Sequence, residues 1–72
     1  MNMSFTDILL QKIKGHHCGR SIRDLTIAHK DNFIVLGGKT NSYYLKQVVQ
    51  ELVLKNLLGR NLVLQNEIFV EY

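Results

Sequence analysis

The sequence predicts a small α+β domain in the order αββαβ, a three-stranded mixed sheet with two helices packed on one face. Three observations carry that reading. Apolar residues recur at helical spacing between cap and stop residues. A strand, a short polar turn and a second strand follow. A second helical stripe then leads into a final strand. At 72 residues the chain has room for one domain, residues 1–72, and one modest core, since a chain of this size buries only roughly 60% of the surface its unfolded form exposes. A hydrophobic fraction of 46% with a net charge of +3 excludes a disordered chain, which needs low hydrophobicity and high net charge.

The first helix is expected over about Phe5 to Lys14. Ser4 is placed to cap it, Asp7 closes a capping box, and Met3 and Ile8 occupy the hydrophobic-staple positions. Phe5, Ile8, Leu9 and Ile13 form its apolar face. Lys12 and Lys14 suit the last turn, and Gly15 suits the stop. Ile22 to Ala28 alternates around Leu25 and Ile27, which is a half-buried strand. Lys30-Asp31-Asn32 is a turn signal because Asp and Asn tolerate turn geometry. Phe33-Ile34-Val35-Leu36 follows as the second strand, ended by Gly37-Gly38, so the unit is a hairpin.

Thr40, Asn41 or Ser42 can cap the second helix, expected from about Ser42 to Leu58. Leu45, Val48, Val49 and Leu52 make its buried stripe, Val53 and Leu57 widen it, and Gly59 stops it. The last strand runs from Leu62 to Val70. Leu62, Leu64, Ile68 and Val70 share one face, Val63 and Phe69 the other, and Gln65 and Asn66 interrupt both. A strand–helix–strand crossover runs its two strands in the same direction. The hairpin adds the antiparallel partner, and the mixed sheet follows.

From Ile22 to Val70 this pattern resembles the BON domain family (bacterial OsmY and nodulation). The pieces that carry the resemblance are Leu25-Thr26-Ile27, Phe33-Ile34-Val35-Leu36-Gly37-Gly38, the helix start Ser42-Tyr43-Tyr44-Leu45-Lys46-Gln47, and the close from Leu58-Gly59 through Asn66 and Ile68 to Val70. The close looks like that family's G-V-x-x-V-x-N-x-I-x-V. The resemblance implies a non-catalytic module that binds phospholipid or other hydrophobic or anionic ligands, usually in envelope proteins and often as paired copies.

Charge, cysteine and leader patterns narrow the function classes. Lys12, Lys14, Arg20 and Arg23 stand together with His16 and His17 and no acid between them. That window is either a solvated helix end and loop or a contact for an anionic partner such as a lipid headgroup or nucleic acid. The single Cys18 forms no internal disulfide, and nothing points to an oxidising compartment. The N-terminus has no basic n-region and no long apolar run, so no signal peptide is visible and a cytoplasmic location is the expectation. No stretch approaches the roughly 20 apolar residues of a membrane span.

No cluster reads as catalytic. The acids Asp7, Asp24, Asp31, Glu51, Glu67 and Glu71 are dispersed, and no pair is spaced for general acid–base work. Cys18 beside His17 lacks the facing geometry and third group that a nucleophile needs. His16-His17-Cys18 carries zinc-binding residue types, but zinc sites are built from spaced pairs and three neighbours rarely point at one ion. The expectation is therefore no enzyme, no metal and no cofactor. Gly37-Gly38-Lys39-Thr40 lacks the phosphate-loop spacing, which leaves a weak anion contact near Lys39 and Lys46. Tyr43 and Tyr44 diverge by about 100 degrees on the helix, so both are not expected to be fully buried, which leaves either a half-buried packing tyrosine or an interfacial contact beside the lysines.

With both helices on one face, the other face of the sheet lacks cover from this chain. Ile34, Leu36, Val63 and Phe69, or their alternates along each strand, are the residues expected there. A contiguous exposed apolar patch usually marks an interaction site, so a homo-oligomer or a bound ligand is expected. The binding candidates are Lys39, Tyr43, Tyr44, Lys46, Ile34, Leu36 and Phe69. The partner is a phospholipid or anionic membrane surface, a hydrophobic ligand, or a protein. The alternative is a small nucleic-acid-binding domain. The strands carry few aromatics of the kind that stack bases, which weighs against it.

Overall fold

The computed structural model describes residues 3–71, which form the expected order. Helix α1 (Phe5–Gly15) and a short 3-10 turn (Gly19–Ser21) precede strands β1 (Arg23–Lys30) and β2 (Phe33–Thr40). Helix α2 (Tyr43–Asn56) and strand β3 (Val63–Val70) complete the chain.

Each helix begins at a side-chain cap. The Ser4 hydroxyl accepts the Asp7 N–H at 3.2 Å, and the Ser42 hydroxyl accepts the Leu45 N–H at 3.3 Å, each satisfying a donor that the first turn leaves free. In α1 the row at spacing four meets the sheet: Leu9 and Ile13 are buried, with Phe5 and Leu10 packed at the margin. Ile8 was expected on that face but is exposed, because it lies about 100 degrees around the helix from Leu9. In α2, Val49 and Val53 are buried, as is Leu57 at its cap, flanked by Leu45 and Leu52.

The sheet order is β1-β2-β3, with β1 antiparallel and β2 parallel to its neighbour β3. Lys30 pairs with Phe33 across the turn Asp31-Asn32, where Asp31 takes the left-handed φ of 55° that Asp tolerates. Leu25, Ile34, Leu36 and Ile68 from the sheet join Leu9 and Ile13 from α1 and Val49, Val53 and Leu57 in one core cluster. Both helices therefore cover the same face, α1 over β1 and α2 over β3 and β2.

The hairpin contains a β-bulge. Arg23 pairs with Lys39 and Thr26 with Gly37, so three steps on β1 match two on β2. Asp24 absorbs the extra residue with φ 53°. Gly38 lies across from the bulge with φ 145°, and a Cβ there would stand 2.8 Å from Ile22 Cγ2 and 2.9 Å from the Arg23 carbonyl oxygen. The second glycine of the pair is thus required by a backbone close approach.

Asn66, which breaks the apolar alternation of β3, is a tether. Its Nδ2 donates to the Lys46 carbonyl at 3.3 Å and to Gln50 Oε1 at 3.1 Å, and its Oδ1 accepts the Ile68 N–H at 3.0 Å. Strand β3 is thereby pinned to α2. Replacement by alanine removes all three of these hydrogen bonds, so Asn66→Ala is expected to lower stability by about 1–2 kcal/mol. The midpoint of urea unfolding should fall with its slope unchanged.

Candidate functional site

The helix-free face of the sheet is built from the residues that alternate with the core. Cross-strand pairing sets them in rows: Lys30, Phe33 and Val63; Ala28, Val35 and Gln65; Thr26, Gly37 and Glu67; Arg23, Lys39 and Phe69. Phe33, Val63 and Phe69 are 41%, 50% and 62% exposed. The bulky apolar groups stand at the two ends, and the middle rows hold small or polar side chains. Phe33 and Phe69 lie six residues apart along the strands, roughly 20 Å at ~3.3 Å per residue.

Charges of both signs share this face. Arg23 and Glu71 form an ion pair at 3.3 Å with both side chains exposed to solvent, the arginine more than the glutamate, so the pair contributes no more than ~1 kcal/mol. Lys30, Lys39 and Glu67 are also exposed on it.

The expected site residues separate into three groups. Lys39 and Phe69 are cross-strand partners on the open face. Tyr43 and Tyr44 are both exposed at the start of α2. Tyr44 lines a shallow groove along that helix with Gln47, Val48, Gln50 and Glu51. Lys46 is half-buried, and its carbonyl holds Asn66.

Ile34 and Leu36 are corrected: each is 0% exposed and belongs to the core beneath the helices. The run Phe33-Ile34-Val35-Leu36 is apolar on both faces, so alternation alone leaves its orientation open. Lys39 and Thr40 decide it. A lysine is rarely buried unless paired, so the odd positions face solvent and Phe33 and Val35 take the places expected for Ile34 and Leu36. That signal is present in the sequence, and it places Phe33 on the open face where Ile34 was expected.

A second cluster lies between α1 and β1. His16 ends α1, with its N–H donating to the Ile13 carbonyl at 3.1 Å. Its Nδ1 accepts the Cys18 N–H at 3.2 Å. The His16 and His17 rings stack with centroids 4.6 Å apart and planes inclined by 22°. The donor atoms of His16, His17 and Cys18 all lie within 4.8 Å of one another. Three neighbours that were expected to diverge are curled together by the end of a helix and the start of a 3-10 turn.

Among the described residues no helix is long and apolar enough to cross a membrane. No family model matches the chain, and no curated protein and no solved structure matches it significantly.

Proposed function

We propose that the chain is a non-catalytic binding and assembly module of BON type, whose open sheet face joins it to a second copy of itself. The single observation that carries this reading is the exposure of Phe33, Val63 and Phe69 on the one face that no helix covers. Charges of both signs on the same face suit a self-complementary contact better than a uniformly anionic lipid surface. The magnitude is modest. Three strands of eight residues span about 14 by 26 Å, or ~350 Å² in plane. That is the size of a functional surface patch but below the ~800 Å² per partner of a standard interface. The association is weak and concentration-dependent. A reducing, cytoplasmic setting suits the unpaired Cys18.

Sedimentation from micromolar to near-millimolar protein tests this. The native chain should shift from monomer to dimer. Phe33→Ser combined with Phe69→Ser should remain monomeric while keeping its far-ultraviolet circular dichroism. A native chain that stays monomeric throughout overturns self-association. Flotation with anionic vesicles, weakened by salt, would instead assign the face to a membrane surface.

One observation favours a second reading, binding of single-stranded nucleic acid: Phe33 stands in a row with Lys30, and Phe69 in a row with Lys39. Aromatic rings beside lysines are the parts of a stacking platform. Their separation of roughly 20 Å, against ~3.4 Å between stacked neighbouring bases, ranks this reading second. Salt-dependent retention on single-stranded RNA that is lost in Phe69→Ser would reverse the order.

A further inference from the structure

We propose that His16, His17 and Cys18 form a binding site for a thiophilic d10 metal ion of the zinc class. The three side chains supply two imidazoles and a thiol, the donor set that borderline-soft ions select over carboxylate and water. Their donor atoms already lie within 4.8 Å of one another. A tetrahedral zinc ion needs its donors roughly 3.3–3.7 Å apart, given Zn–N and Zn–S bonds of about 2.0 and 2.3 Å. The remaining contraction is about one ångström, and rotation of the exposed His17 and the half-buried His16 toward the buried Cys18 supplies it.

The backbone carrying the donors is held in place. The His16, Arg20, Ser21 and Ile22 N–H groups donate to the carbonyls of Ile13, His16, Cys18 and Gly19 at 3.1–3.2 Å. Gly19 is packed so closely on α1 that a Cβ would fall 1.8 Å from the Ile13 carbonyl oxygen. Little backbone freedom is left to lose on binding, which is what pre-organisation means for affinity. The His16 Nδ1 accepts the Cys18 N–H at 3.2 Å, so binding through this ring exchanges that hydrogen bond, or the proton on the other nitrogen, for the metal bond.

Electrostatics act in both directions. Lys12, Lys14 and Arg20 are nearby in sequence and exposed, so solvent and salt screen their repulsion. The carbonyl end of α1 points at the cluster, and that end of a helix favours a cation. On binding, the Cys18 thiol releases its proton to water and the sulfur becomes an anionic ligand. Three protein ligands leave the fourth position to water, the arrangement of zinc sites that remain open. The site lies between α1 and β1, apart from the open sheet face, so the two proposals stand or fall separately.

The test uses the full, tag-free chain, competed for zinc against a chromophoric chelator. One equivalent should bind, and cobalt(II) in its place should give a thiolate-to-metal charge-transfer band. His17→Gln changes an exposed side chain, so the fold is kept, and binding should weaken at least tenfold. Cys18→Ala should abolish the cobalt band. His29→Gln removes the remaining imidazole, on β1, and should leave both readouts unchanged. Native affinity in His17→Gln overturns the site, as does a native chain that gives no thiolate band.

Discussion

Gly38→Ala is expected to lower the stability of the domain by about 2–4 kcal/mol. Two costs add. The native φ of 145° is one that side-chain-bearing residues adopt at a penalty of ~1–3 kcal/mol. The new Cβ also meets the Arg23 carbonyl oxygen at 2.9 Å and the Ile22 methyl at 2.8 Å. The carbonyl belongs to the paired backbone of β1 and cannot turn aside as a side chain would, so relief requires opening the bulge. Chemical denaturation measures the loss, with Gly15→Ala as the internal control. A Cβ at Gly15 meets nothing within 4 Å, at the end of a helix, where alanine is the better residue. Its midpoint should hold or rise. Equal stability of the two variants would remove the bulge as the reason for glycine at position 38.

Leu36→Ala should cost about 3 kcal/mol, and Val35→Ala, its neighbour in sequence, less than ~1 kcal/mol. Leu36 is 0% exposed in the core cluster, and deleting a buried leucine loses both transfer energy and the contacts around the cavity it leaves. Val35 lies half-buried on the open face, where water refills the space. A core this small supplies only ~3–5 kcal/mol in all, so Leu36→Ala brings the chain close to unfolding at room temperature. Thermal melts followed by circular dichroism separate the two variants. The reverse ranking would mean that β2 presents its other face to the helices.

Much of the fold was legible because its signals agree across levels. The Ser4 and Ser42 caps, the Asp31-Asn32 turn and the rows at spacing four each name one element, and the crossover rule then orders the strands. Orientation within β2 was less legible. A strand apolar on both sides has no period-two signal, and the deciding residue, Lys39, stands at its far end. Gly38 was legible as a breaker but not as the partner of a bulge, since a bulge is a relation between two strands. The sequence argues against the histidine–cysteine cluster for a physical reason: neighbours diverge in regular structure. They converge here because the chain changes from α-helix to 3-10 turn within three residues, which no spacing rule encodes. Asn66 looked like an interruption because its partners, Lys46 and Gln50, lie in another element.

The Asn66 tether also has a consequence for the outer edge of the sheet. Strand β3 is an edge strand. Val63 and Glu71 donate their N–H groups inward to the Asn32 and Thr40 carbonyls, so the alternate residues, Ile68 among them, direct theirs outward. An outward row of free N–H groups is a template on which a foreign strand can add, and chain after chain can follow. The Asn66 amide oxygen occupies the Ile68 N–H, while its nitrogen is anchored to α2. A polar side chain folded over the middle of the edge leaves an incoming strand no continuous ladder to form. The same residue that fastens helix to sheet thus also interrupts the outer ladder of the edge strand.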